Sequence, residues 1–194
     1  MSDRIRTLRG LQHRLERLYG LDPTADVTEF VRLAGATERE SLLLRQTEDG
    51  LEIALVLPPG EPRQPGEAPC DLWLQLAEGV SHFVYVAERA RTGLPATQLE
   101  LELQAEVDKF VLWIGSDAAP SGNPRDVREQ LFERVRFLHP AGTEAGQRYR
   151  LANDLAAQFV TRLHELPSRE ARVRRLRRFY RAGQTDKIRL SRAA

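Results

Sequence analysis

Cysteine is almost missing from this sequence. Cys70 is the single one in 194 residues, so no intrachain disulfide can form, as suits a reducing compartment. Lysine is scarce as well: Lys109 and Lys187 stand against 27 arginines. A GC-rich bacterial genome produces that bias by itself, so abundant arginine is no argument for bidentate recognition. No apolar run approaches the roughly 20 residues that a membrane helix needs. The start, Met1-Ser2-Asp3-Arg4, has no apolar stretch of the secretory kind. These absences lead us to expect a cytoplasmic protein. Also missing are a glycine-rich phosphate loop, a dinucleotide fingerprint, zinc-spaced cysteine pairs and a nucleophile elbow. Cys70 has no histidine near it in sequence and reads as a small hydrophobe at a strand edge.

What is present suits one packed domain. Hydrophobic residues make up 41% of the chain, too many for a disordered protein of this length. The net charge of +1 hides segregation. Residues 1–19 balance to +3, residues 20–167 to −10, and residues 168–194 to +8. An acidic body with a basic C-terminal arm is a property of binding surfaces.

Periodicity predicts an α+β fold, a helical bundle beside a small antiparallel β-meander. Ile5, Leu8, Leu11, Leu15 and Leu18 recur at helical spacing over 3–19, and Val27, Phe30, Val31 and Leu33 suggest a short helix at 26–34. Alternation on both sides of Thr47-Glu48-Asp49-Gly50 predicts a hairpin over 41–57. Five prolines mark 58–69 as a loop, and Leu72, Leu74 and Leu76 suggest a third strand at 71–76. Helical spacing returns over 77–91. Thr97 and Glu100 form a capping-box pair for a helix at 97–114. Further helices are expected at 124–138 (Val127, Leu131, Val135 and Leu138 inward), 143–165 and 168–182. Residues 1–182 thus read as one domain and 183–194 as a basic tail.

The chemistry concentrates in two places. On the 77–91 helix, Glu78, His82, Tyr85 and Arg89 fall on one face, and Glu102 and Glu106 stand four apart on the next. Glu106 lies within the apolar stripe of its helix, where a carboxylate needs a partner; His82 or Arg89 could supply it. The layout is similar in part to zinc metallopeptidases of the thermolysin-like class. His82 would match the second histidine of their helix and Glu102 their later glutamate. Glu78 stands where the first histidine belongs, and Gly79 where the general-base glutamate belongs. On that ground the sequence predicts no tightly bound zinc and no cofactor. A polar network that fixes helix packing is the leading expectation.

The second place is the arm. Arg172, Arg174, Arg175, Arg177, Arg178 and Arg181 surround a thin stripe of Val173, Leu176 and Tyr180. Such a helix suits an acidic protein surface, this protein's own body included; nucleic acid is the second class of partner, and a membrane surface the least expected. From sequence alone the function expected is therefore a non-enzymatic adaptor or accessory subunit of a larger assembly. The alternatives are an unusual metallohydrolase centred on Glu78, His82 and Glu102, and a nucleic-acid-binding accessory protein using residues 168–194.

Overall fold

A computed structural model describes residues 3–35, 38–48, 50–60, 71–115 and 123–193. Cys70 and most of the 58–69 and 115–124 loops lie outside them.

Helix α1 (Asp3–Tyr19) buries Leu8, Leu11, Leu15 and Tyr19, and ends at Gly20, whose φ of 64° lies in the left-handed region. Next comes a single 3-10 turn, Val27–Glu29, and strand β1 (Val31–Leu33). The helix expected at 26–34 therefore does not form. Asp26 accepts from the Thr28 N–H at 3.0 Å and from Arg9 at 2.7 Å, which fixes a turn. Phe30 O then accepts from the Leu55 N–H at 2.9 Å, and the β-branched start of the segment is drawn into a sheet.

Strands β2 (Ser41–Thr47) and β3 (Gly50–Leu57) form the expected hairpin, with register Ser41↔Val56 to Thr47↔Gly50. The third strand is β1, parallel to β3 through Val31↔Leu55 and Leu33↔Leu57, in the order β1-β3-β2. The sheet is mixed rather than an antiparallel meander.

Residues 71–76 belong to α2 (Asp71–Arg91), not to a strand. Three alternating leucines are too short a signal to separate strand from helix. Asp71 sits in the first turn, paired with Arg39 through two 3.0 Å hydrogen bonds and accepting from Gln75 at 2.7 Å. From Gln75 to Val86 every residue of α2 is buried except Glu78. Helix α3 (Gln98–Ile114) opens on the complete capping box: Glu100 N–H donates to Thr97 Oγ1, and Thr97 N–H to Glu100 Oε2. Cross-helix pairs 78–109, 82–102 and 89–100 run in opposite order along the two helices, so α2 and α3 are antiparallel.

Helix α4 (Pro124–Arg128) continues as a π-helical turn to Glu133 and stops. Residues 134–138 are not helical, and Val135 and Leu138, expected inward, are 37% and 67% exposed. Helix α5 (Glu144–Glu165) packs on α3. The arm consists of α6 (Arg169–Arg181), capped by Ser168, and a further helix α7 (Gln184–Arg192) within the segment read as a basic tail. Among the described residues, no helix is long and apolar enough to cross a membrane.

Candidate functional site

The six polar residues singled out on α2 and α3 separate into two groups. Tyr85 and Arg89 turn toward the arm: Arg89 donates to Tyr85 Oη at 2.5 Å, to Glu100 Oε1 at 3.3 Å and to Ala182 O at 2.7 Å. This group ties α2, α3 and the end of α6 together.

Glu78, His82, Glu102 and Glu106 form the second group. Their helices face each other, and the residues i and i+4 on each place four polar side chains along one seam. Lys109 Nζ donates to Glu78 Oε2 at 3.1 Å and to Glu106 Oε1 at 2.9 Å. The partner of Glu106 is thus Lys109, one turn further on its own helix, and neither His82 nor Arg89. The sixth member comes from elsewhere in the chain: Glu40, just before β2, lies 3.3 Å from His82 Nδ1.

Gly79 explains how Glu40 gets there. A Cβ at position 79 would lie 2.8 Å from Leu55 Cδ1, 3.0 Å from Leu57 Cδ2 and 3.0 Å from Glu40 Cγ. The missing side chain lets β3 approach α2 closely and opens room for the glutamate from the sheet. At the position where the thermolysin-like pattern has a glutamate on the helix, this chain has a glycine, and a carboxylate from another element fills the space.

The charges of the group are strongly shifted. Burial disfavours the charged imidazole of His82, but the Glu40 hydrogen bond and the charges of Glu40, Glu102 and Glu78 outweigh it and raise its pKa to about 9. Burial pushes Glu102 up to about 7 against the pull of His82. It also pushes Glu106 upward, while Glu78 ends below the ordinary range because Lys109, His82 and Arg39 overcome its burial. Burial works against the Lys109 ammonium, yet Glu106 and Glu78 hold it well above its usual value.

One feature resists the reading as a packing network. A carboxylate only accepts, so the 3.3 Å contact puts a proton on His82 Nδ1. Nε2, on the other side of the ring, is buried and has no hydrogen-bond partner. It lies 3.8 Å from Glu102 Oε2. One ligand atom each from Glu78, His82 and Glu102 lie within 4.8 Å of one another, which makes them a potential ligand set for a metal ion. Tetrahedral coordination at ~2.1 Å places ligand atoms about 3.4 Å apart, so small side-chain movements would close this set on an ion. Arg148 Nε, at 4.0 Å from Glu102 Oε1, and the hydroxyl of Tyr149 complete the surroundings from α5.

Sequence reasoning missed Glu40, Lys109 and Tyr149. Glu40 and Tyr149 carry no local signal, being far from the motif in sequence. Lys109 had one: it is among two lysines in an arginine-rich chain.

The arginines of α6 divide differently from the single surface expected. Arg172 Nε donates to Ser168 O at 3.3 Å, Arg175 to Leu190 O at 2.9 Å, and Arg177 Nε to Leu18 O at 2.8 Å. These three hold backbone carbonyls. Arg174, Arg178 and Arg181 are exposed. Compared with known protein families, with curated proteins and with solved structures, the chain matches none of them.

Proposed function

We propose that this protein binds one divalent cation through Glu78, His82 Nε2 and Glu102, and uses it for Lewis-acid or water-activating chemistry of the hydrolytic type. The observation that supports this most is the orientation of His82. A histidine that ligates a metal donates its other ring N–H to a carboxylate or carbonyl, which fixes the tautomer and aims the free lone pair at the ion. The Glu40–His82 pair has that form, with Nε2 on the side of two carboxylates and without a hydrogen-bond partner; the ion would displace the proton that those carboxylates otherwise hold on Nε2. One imidazole and two carboxylates suit a borderline ion such as Zn2+ or Mn2+ better than a thiolate-loving one. Three protein ligands leave a position for water or substrate, as catalytic sites do and closed structural sites do not. Bound there, the ion would lower the pKa of a coordinated water and polarise a substrate oxygen. Lys109 holds Glu78 in place from the opposite side, and Tyr149 does the same for Glu102.

This reading departs from the expectation of no bound zinc because Glu40, far away in sequence, brings to His82 a carboxylate that Gly79 cannot supply. The test is metal content after dialysis against Zn2+ or Mn2+. We expect about one ion per chain, lost in His82→Ala and reduced in Glu102→Gln. Protein that keeps no ion, or a His82→Ala variant that keeps it, would overturn the proposal. Accessory binding through the arm rests on a different surface.

A further inference from the structure

Helices α6 and α7 enclose a groove of about 590 Å³ lined by Arg174, Arg177, Arg178, Arg181, Ala182, Asp186, Arg189 and Leu190. Five guanidinium groups therefore converge on one concave space with a single carboxylate among them. That carboxylate, Asp186, is already taken by Arg189 at 2.9 Å. Among the described residues, Arg174, Arg177, Arg178 and Arg181 make no ion pair with any acidic side chain. Where Arg177 touches the body it does so through the carbonyl oxygens of Leu18 and Arg17, not through a carboxylate. Like charges gathered this closely repel one another: Arg178 and Arg162 help to lower the pKa of the neighbouring Arg175, after the effect of its burial. A bound anion would relieve that repulsion.

The groove is also built rigidly. Arg177 is held against the C-terminal end of α1 through the carbonyls of Leu18 and Arg17, and Arg175 behind the groove ties α6 to Leu190 of α7. Leu190 and Lys187 anchor α7 in the core. The guanidinium groups therefore spring from two fixed helices, and the cost of binding lies in ordering the exposed side chains of Arg174, Arg178 and Arg181. Arginine presents a planar fork of donors that matches phosphate oxygens in pairs.

We propose that this groove is a binding site for a compact polyanion bearing several phosphate groups, inorganic tripolyphosphate being the simplest example. Its shape favours a small ligand over a nucleic-acid backbone, because a duplex needs an extended surface and this one is concave. Its lining contains no aromatic ring on which a base could stack. The aromatic residues of α6, Phe179 and Tyr180, are turned inward and buried. Recognition is then of phosphate charge and spacing, and the site is separate from the proposed metal centre.

The experiment is calorimetric titration of the full chain with tripolyphosphate at about 0.1 M salt, without added metal. One site per chain is expected, about ten-fold or more tighter for tripolyphosphate than for monophosphate. Arg178→Ala/Arg181→Ala should weaken it by about ten-fold or more, since both residues are exposed and each contributes charge-assisted bonds. Should that pair of substitutions impair folding, Arg178→Gln alone provides the same reading. Arg136→Ala, an exposed arginine elsewhere, should change nothing. Asp186→Asn should tighten binding, because it removes the only negative charge in the lining. Equal affinity for mono- and tripolyphosphate, or unchanged binding in both groove variants, would overturn the proposal. So would tighter binding of a short DNA duplex that displaces tripolyphosphate, which would identify an extended backbone as the ligand.

Discussion

Both lysines of this arginine-rich chain are buried, Lys109 at 8% exposure and Lys187 at 0%. A compact ammonium on a slim stem fits where a planar guanidinium does not. Lys187 donates to Gln104 Oε1 at 2.5 Å and to Phe179 O at 2.9 Å, with its charge over the Phe179 ring at 4.2 Å. Asp108, Arg89 and Glu100 also act on it from α2 and α3. Burial outweighs the attraction of Asp108 and lowers its pKa to about 7 from 10.5. Between those values the unfolded chain holds a proton that the folded one lacks, so stability rises with pH. The contribution is full above 10.5 and lost as pH falls through the window to about 7. His82, held up at about 9, works in the opposite direction up to that pH in native and variant protein alike, so the test is the difference: between pH 7 and 10 the melting temperature of the native protein should gain on that of Lys187→Met, and equal slopes would contradict this. Lys109→Met should destabilise by about 3–5 kcal/mol, because it strands Glu78 and Glu106 beside each other. Denaturant unfolding reads that loss, and a change below about 1 kcal/mol would mean the pair is solvated.

Among the elements, α2 carries the most information. Its helical period from 77 onward was legible because it is long; its first turn was not, because Leu72, Leu74 and Leu76 alternate over too few residues. β1 was illegible for a different reason. Its pairing to β3 is non-local, and Val27, Phe30, Val31 and Leu33 fit either a helix face or an edge strand. The hairpin and α3 were readable since their turn and cap lie within the segments themselves. Gly79 offers a direct test of the helix–sheet contact. In an open helix Gly→Ala stabilises by about 1 kcal/mol; Gly10→Ala, with nothing within 4 Å of its new Cβ, should do so. Gly79→Ala should do the reverse, since its Cβ meets Leu55 and Leu57, both fully buried, and overpacking costs about 1–3 kcal/mol. Melting temperatures that move the same way in the two variants would show that β3 and Glu40 yield easily.

At the scale of the whole molecule, the arm is part of the core. Charge dominated its sequence and concealed that Phe179 stacks on Phe159 at 4.0 Å and Tyr180 on Tyr19 at 4.1 Å. Leu176, Phe179, Tyr180 and Leu190 are all buried, and each contributes about 1.5–3 kcal/mol. Together they match the entire 5–15 kcal/mol stability usual for a domain. Deleting 168–194 should therefore leave a chain that does not fold cooperatively by circular dichroism. A sharp melting transition in the truncated chain would refute that. The candidate site was half legible for a related reason: periodicity brought Glu78, His82, Glu102 and Glu106 together along two helices, but it could not reveal a glutamate delivered by the sheet.

That glutamate makes the central claim testable with one measurement, calorimetric titration of chelator-treated protein with Zn2+ alongside Glu40→Gln and His82→Ala. If Glu40 orients His82 for a metal, the native chain takes up one equivalent, His82→Ala takes up none at the site, and Glu40→Gln binds about 10–100-fold more weakly. If the native protein takes up no ion, or if all three proteins bind it alike, the cluster is a packing network and the metal centre does not exist.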